Sequence, residues 1–286
     1  ELLKQVDLIV ATGSQNNVRA AYTSGTPAFG VGAGNVAVIV DESADLTDAA
    51  AKITASKTFD NATSCSSENS LIVLDSVYSE TISALTHCGA DMLSVEEKQS
   101  LQEVMWQEGR LNPAVLAKPC SELASIVGLA RKESAEAKFL MVEETNTGKS
   151  APFSGEKMSL VLTIYRAKDF PHAKQIARDI FSYQGAGHSL GLHSSIDDRA
   201  LELGMELPVS RVIVNQAHCF ATGGSFDNGL PFSLSMGCGT WGGNVTDENV
   251  HYKHFMNITR VARTIEPREI SADDYFEAYR RKHELL

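Results

Sequence analysis

Cys65 stands in Asp60-Asn-Ala-Thr-Ser-Cys-Ser-Ser-Glu-Asn-Ser70, where Ala62 is the only apolar residue within three positions on either side. Thiols that only fill space keep apolar company, whereas a polar, small-residue setting is where a thiol can serve as a nucleophile. Local composition leaves both readings open. His188 lies in Gly185-Ala-Gly-His-Ser189, whose glycines allow an exposed turn to present the ring as a base, a donor or a substrate contact; a histidine that holds its own loop fits the same residues. Glu156, in Ser154-Gly-Glu-Lys-Met158, is either a functional carboxylate or a solvated one. Cys88 and Cys120 fall on or beside predicted helices and are read as structural. The adjacent His218 and Cys219 lack further ligands at zinc-like spacing, so no metal is expected.

The elements that must position these groups alternate between strand and helix. Leu8 to Ala11 is a short apolar run of the kind buried on both faces of a parallel sheet, followed by a helix from about Asn16 to Tyr22. A glycine-dense passage, Ala28 to Asn35, leads into the buried strand Val36 to Val40, and glycine there permits close backbone approach. Asp45 or Thr47 can cap a helix that runs to about Phe59 and is stopped by Asp60-Asn61, so Cys65 is delivered just before the strand Ser70 to Leu74. Helices are predicted at 77–87, 95–108, 120–132 and 169–182, with strands at 140–142, 159–164, 190–193 and 211–215. This alternation predicts an α/β architecture. From Ala221 to Asn244 the chain is rich in Gly, Ser, Asn and Phe without periodicity, the mark of a long ordered loop near a site or interface. A strand at about 254–263 and an amphipathic helix from Ala272 to Glu284 form a tail without a core of its own.

The 286 residues, 43% of them hydrophobic, suffice for one large core or two modest ones. A net charge of −11 opposes general binding of nucleic acid or anionic lipid, so an anionic ligand would need a local positive site. Five cysteines, an odd number without a CxxC pair, point to free thiols in a reducing cytoplasm. No apolar run reaches the roughly 20 residues of a membrane span, and no signal-peptide pattern is present. The opening residues read as the end of a helix feeding directly into a strand, from which further residues upstream are expected.

Ala11-Thr-Gly-Ser14, Ala20-Ala-Tyr-Thr-Ser-Gly25, Gly30-Val-Gly-Ala-Gly-Asn35, Cys65-Ser-Ser-Glu68, Glu156-Lys-Met-Ser159, Tyr165-Arg-Ala-Lys-Asp-Phe170, Gly187-His188 and Gly237-Cys-Gly-Thr-Trp-Gly-Gly-Asn244 follow one another in order. Together they resemble the CoA-acylating branch of the aldehyde dehydrogenases over nearly the whole chain. The resemblance implies an aldehyde dehydrogenase-like fold: a three-layer α/β/α catalytic domain joined to the end of a Rossmann-like cofactor domain. Residues 1–32 would be the remnant of the dinucleotide-binding domain, 33–244 the catalytic domain, and 245–286 a tail strand and helix for oligomerisation or docking. It implies Cys65 as the nucleophile that carries the acyl group as a thioester, with the backbone N–H of Cys65 stabilising the oxyanion and His188 as a catalytic histidine. Gly13, Ser14, Gly32, Glu156 and Met236 would contact NAD or NADP, Glu156 at the ribose hydroxyls, and CoA would be the co-substrate. A homodimer or homotetramer is implied.

Hydrolytic relatives place a glutamate where Val31 stands. Valine cannot activate water, so the thioester should persist until a thiol such as CoA arrives. Two positions depart from the acylating pattern, Ser14 for a glycine and Leu160 for a proline; a side chain at 14 would occupy a close-approach position. The run Asn215 to Gly229 resembles the subgroup acting on short anionic aldehydes, sulfoacetaldehyde first, with succinate semialdehyde or acetaldehyde as alternatives. Arg211, His218 or glycine-loop amides are the expected donors for the anion. From other classes, a non-redox cysteine acyltransferase and an assembly module also fit the tail and the thiol.

Overall fold

A computed structural model describes residues 1–267 and 271–283. The chain first forms β1 (Ile9–Ala11), α1 (Gln15–Thr23) and β2 (Ala28–Gly30), with β1 and β2 paired as a parallel two-stranded sheet. There follow β3 (Val36–Val40), α2 (Leu46–Thr58), β4 (Glu68–Leu74), α3 (Tyr78–His87), β5 (Ala90–Met92) and α4 (Val95–Met105). A small hairpin, β6 (Trp106–Gln107) and β7 (Arg110–Leu111), precedes α5 (Cys120–Val127), α6 (Lys132–Glu136), β8 (Phe139–Glu143), β9 (Val161–Ala167) and α7 (Phe170–Tyr183). The sheet is completed by β10 (Leu190–His193) and β11 (Val212–Val214), separated by α8 (Asp197–Glu206) and followed by the single turn α9 (His218–Ala221). Seven strands make one wholly parallel sheet in the order β11-β10-β3-β4-β9-β8-β5.

Alternate residues of each central strand serve opposite faces, which is why these strands are apolar throughout. Val36, Val38, Val40, Leu71 and Val73 pack on one side against α2 to α5, while Ala37, Ile39, Ile72 and Leu74 pack on the other against α7 and α8. All of these are buried, and each large aliphatic side chain so placed contributes roughly 1.5–3 kcal/mol. This is the expected three-layer α/β/α arrangement. Asp45, not Thr47, caps α2, accepting from the N–H groups of Thr47 and Asp48 at 3.1 and 3.0 Å.

Several expectations change. β1 is not buried on both faces: Val10 is 36% exposed, because β2 is its only neighbour among the described residues. The helix expected to reach residue 108 ends at Met105, where the chain folds back through positive φ angles at Glu108 and Gly109 into the hairpin. The helix expected over 120–132 is cut by the left-handed Gly128. The strands β2 and β5 and the helix α8 are additions, and each is too short or too polar on one face for a clear period.

Two compact units result, Glu1–His254 and Phe255–Leu286. Residues 245–254, expected in the tail, belong to the first: Asn249 and Val250 are buried, and Asn249 bridges to Met236. The tail strand expected at 254–263 does not form. Ile258, Val261 and Ile265 are exposed and the segment has no strand to pair with among the described residues; extended backbone needs a neighbouring ladder to become a strand. The second unit's helix α10 (Ala272–Lys282) starts at a Ser271–Asp274 capping box. Its expected end at Glu284 lies outside the described residues.

Candidate active site

Four adjacent strands, β10, β3, β4 and β9, are each preceded by one of the residues singled out above: His188, Gly32, Cys65 and Glu156. The site therefore gathers at the amino ends of the central strands. Between α2 and β4 the chain turns through Asp60, Asn61 and Ala62, all at positive φ (48, 47 and 61°). Non-glycine residues take that conformation at a cost of about 1 kcal/mol or more each. Two contacts offset it: Thr63 Oγ1 donates to the Asp60 carboxylate at 2.7 Å, and Asn61 Nδ2 donates to Ala117 O at 3.1 Å. The turn swings Cys65 under Gly34, where a Cβ would stand 1.9 Å from the Cys65 carbonyl oxygen. Only glycine permits that approach.

Cys65 opens onto a cavity of about 1020 Å³ whose walls include Gly13, Ser14, Gly32, Glu156 and Met236. The structure thus brings Cys65, the expected nucleophile, together with all five expected cofactor residues. Ser14 is extended (φ −63°, ψ 149°) and is the N-cap of α1, its Oγ accepting from Asn17 N–H at 3.4 Å. The departure from glycine therefore leaves backbone geometry unstrained, and it sets a helix start beside the cavity, where N–H groups favour anions. Gly32 N–H donates to Asn244 Oδ1 at 2.9 Å, and Cys238 N–H donates to the same oxygen at 3.0 Å. Ser66 Oγ–H reaches Met236 Sδ at 3.7 Å, linking the thiol loop to the far wall.

Burial dominates the electrostatics. It pushes the Cys65 thiol up to about 11, against a hydrogen bond from Ser66, and the Glu156 carboxylate adds to the rise. Burial also lifts Glu156 to about 7, with Lys157 opposing. At rest the thiol is protonated.

His188 is not presented by an exposed turn and does not line the cavity. It is 1% exposed, its Nδ1 lies 2.7 Å from Ser189 Oγ, and its Nε2 has no partner among the described residues. Burial and the nearby Arg211 guanidinium lower it to about 3, so the ring is neutral. Gly187 explains the burial: its φ of 86° and the absence of a side chain let Cys238 O pack where a Cβ would sit 1.9 Å away. Nor do Arg211 and His218 reach the cavity as anion donors. The guanidinium is spent on Asn249 Oδ1, His188 O, Gly237 O and Asp247 O at 2.9–3.2 Å. Burial lowers His218 to about 4, and its Nδ1 faces Ser66 O at 3.0 Å. Of the expected donors, the glycine loop remains, with Gly223 and Gly224 in the wall.

Cys219, Phe59, Phe220, Phe232 and Leu234 also line the cavity. Phe232 and Leu234 belong to the aperiodic 221–244 loop; Cys219 is legible in the sequence only as half of a metal pair and Asn244 only as the end of the Gly237–Asn244 motif, and nothing local marks Phe59 or Phe220. Among the described residues one trio, Glu248, His251 and His254, brings potential metal-ligand atoms within 4.8 Å of one another. None of the three lines the cavity. No helix of the described residues is long and apolar enough to cross a membrane.

Comparison with known proteins gives the same direction. The sequence profile described as the aldehyde dehydrogenase family matches residues 3–229. A protein named sulfoacetaldehyde dehydrogenase (acylating), from Cupriavidus necator, is 59% identical over 262 residues, covering 92% of this chain and 53% of that protein. A sulfoacetaldehyde dehydrogenase from an Acholeplasma species is 41% identical over 287 residues, 99% of this chain and 59% of that protein. Among solved structures, an acetylating aldehyde dehydrogenase from Geobacillus thermoglucosidasius superimposes with a TM-score of 0.88 at 36% identity, over 94% of this chain and 60% of that one. The chain spans a little over half the length of these relatives.

Proposed function

The chain belongs to the aldehyde dehydrogenase family, and from that premise we propose that it is the thiol-bearing part of a CoA-acylating enzyme that converts sulfoacetaldehyde to its acyl-CoA. The observation that carries the proposal is the pairing of Cys65 with Val31 in one cavity wall. The thiol can add to an aldehyde carbonyl and hold the acyl group, while position 31, 3% exposed, offers no carboxylate to activate water. An acyl thioester then waits for an incoming thiol. The backbone N–H of Cys65 is the donor this chain offers to the oxyanion.

A nicotinamide dinucleotide, NAD or NADP, would supply the hydride acceptor when bound. The walls fit such a group: the start of α1 at Ser14 suits a phosphate, Gly32 lacks a side chain beside the path, and Glu156 offers carboxylate oxygens to hydroxyl groups. We assign residues 1–32, with their separate two-stranded sheet, to the end of the cofactor domain, and 33–244 to the catalytic domain. His188, a neutral ring outside the cavity lining, would support the site from behind, its Nε2 without a partner among the described residues. Sulfoacetaldehyde as the substrate draws on the names of the relatives 59% and 41% identical, and the glycine-loop amides near Gly223 are the donors proposed for its sulfonate. The exposed apolar residues Ile258 and Val261 support assembly into a homodimer or homotetramer through the tail.

The test uses the full-length polypeptide that carries this chain. NAD(P)H formation from sulfoacetaldehyde is followed with and without CoA, beside a Cys65→Ala variant. Turnover is expected to require both CoA and Cys65; full turnover without CoA, or in Cys65→Ala, would sink the proposal.

A further inference from the structure

Three residues beyond the thiol, Glu68 begins β4 with its side chain fully inside the protein. A buried carboxylate is costly unless several donors meet it. Here Ser56 Oγ donates to Glu68 Oε2 at 2.8 Å, and the backbone N–H groups of Glu68 and His218 also point at the carboxylate. Lys57 Nζ donates to the Glu68 carbonyl oxygen at 2.8 Å. The Ser56 hydroxyl, having given its proton to Glu68, accepts from Cys219 N–H at 2.7 Å.

The two N–H groups so engaged, of His218 and Cys219, are the first two of α9. The residue before them, Ala217, has no side-chain acceptor to give. A helix start leaves its first N–H groups without partners inside the helix, and here the acceptors come from residues about 150 positions away in sequence. α9 is also the cavity wall: Cys219 and Phe220 line it, and Phe220 meets Phe59 edge-on at 5.1 Å.

We propose that Glu68, acting through Ser56, is a positioning residue that docks α9 onto the strand carrying the nucleophile and so fixes the aldehyde-side wall of the cavity. Its kinetic consequence rests on the proposed function; its structural consequence does not. The unpaired alternative, a carboxylate present only to balance Lys57, predicts different behaviour in two variants. Ser56→Ala breaks the bridge and leaves both charges in place. Glu68→Gln removes the charge and keeps an acceptor oxygen.

Hydrogen exchange of the segment containing residues 218–222 is measured by mass spectrometry in the full-length protein, together with aldehyde KM and kcat. Ser56→Ala and Glu68→Leu are expected to speed that exchange about tenfold or more, and to raise aldehyde KM about tenfold with kcat within about threefold. Glu68→Gln should stay within about threefold of the parent in both. Unchanged exchange in Ser56→Ala overturns the inference, and so does a Glu68→Gln variant as impaired as Glu68→Leu, which would make charge balance the role. If Glu68→Leu does not fold, Ser56→Ala decides alone. Faster exchange in a protein that does not turn over sulfoacetaldehyde would leave this inference standing and remove the function proposed above.

Discussion

Cys65 sits in a wall that holds its thiol protonated at neutral pH, because burial and the neighbouring Glu156 both disfavour a thiolate. The thiolate is the reactive form, so in the proposed function the thiol needs a base to activate it. What happens to the acyl group afterwards turns, in that proposed function, on one neighbour. Val31 lines the same cavity as Cys65, and a Val31→Glu substitution would add a carboxylate to that lining. We expect that variant to release free sulfoacetate without CoA at a rate at least about tenfold above the parent, general-base assistance being worth 10²–10⁴ at best. Measuring acid formation in the absence of CoA checks it. A variant that still waits for CoA would mean that the persistence of the thioester has another cause, such as exclusion of water.

At the level of elements, the site depends on backbone approaches more than on side chains. Each of three neighbouring parallel strands is preceded by a residue of the cavity lining, so the register of β3, β4 and β9 sets the spacing of Gly32, Cys65 and Glu156, with His188 ahead of β10 buried outside the lining. The tightest point is Gly34, whose missing Cβ leaves room for the Cys65 carbonyl. Gly34→Ala would push the 62–66 loop away by more than an ångström, and misplacement on that scale costs about 10²-fold. The expected result is a loss of kcat/KM of that order. Thermal stability should also fall, by about 1–3 kcal/mol, since the strain is backbone against backbone. Kinetics and a denaturant titration of the variant check both; parental activity would show that the loop accommodates the methyl group.

For the molecule as a whole, buried ionisable groups shape the response to pH. Burial lowers His188, His193 and His218 to about 3, 4 and 4. Below pH 6.5 the unfolded chain takes up protons that these folded rings refuse, so their contribution to stability is full above 6.5 and is lost as pH falls toward 4. Burial raises Glu68 and Glu156 to about 7, and these work in the opposite sense: between 4.5 and 7 the folded chain keeps protons that the unfolded chain has released, so acidification favours folding. Between pH 6.5 and 4.5 the two carboxyls offset two of the three histidines, leaving a net loss of about 1.4 kcal/mol per pH unit. Below 4.5 the carboxyls no longer help, and each uncompensated histidine costs about 1.4 kcal/mol per pH unit. Tm should therefore fall gently from pH 6.5 to 4.5 and steeply below, and Glu68→Gln should steepen the decline in the upper range. A steep decline already at pH 6 in the parent would contradict the raised carboxyls. The sequence by itself determined the α/β alternation and the strand-flanking placement of Cys65, because periodicity and glycine density are local properties. It left open whether His188 is presented by an exposed turn or holds its own loop, offered Arg211, His218 or glycine-loop amides as anion donors, and predicted a tail strand. Tertiary structure buried the ring, spent the guanidinium's donors and left the tail without a strand among the described residues, because each depends on what the rest of the chain brings alongside. The same holds for the cap that Glu68 and Ser56 place on α9: its acceptors and donors are neighbours only after the sheet has formed.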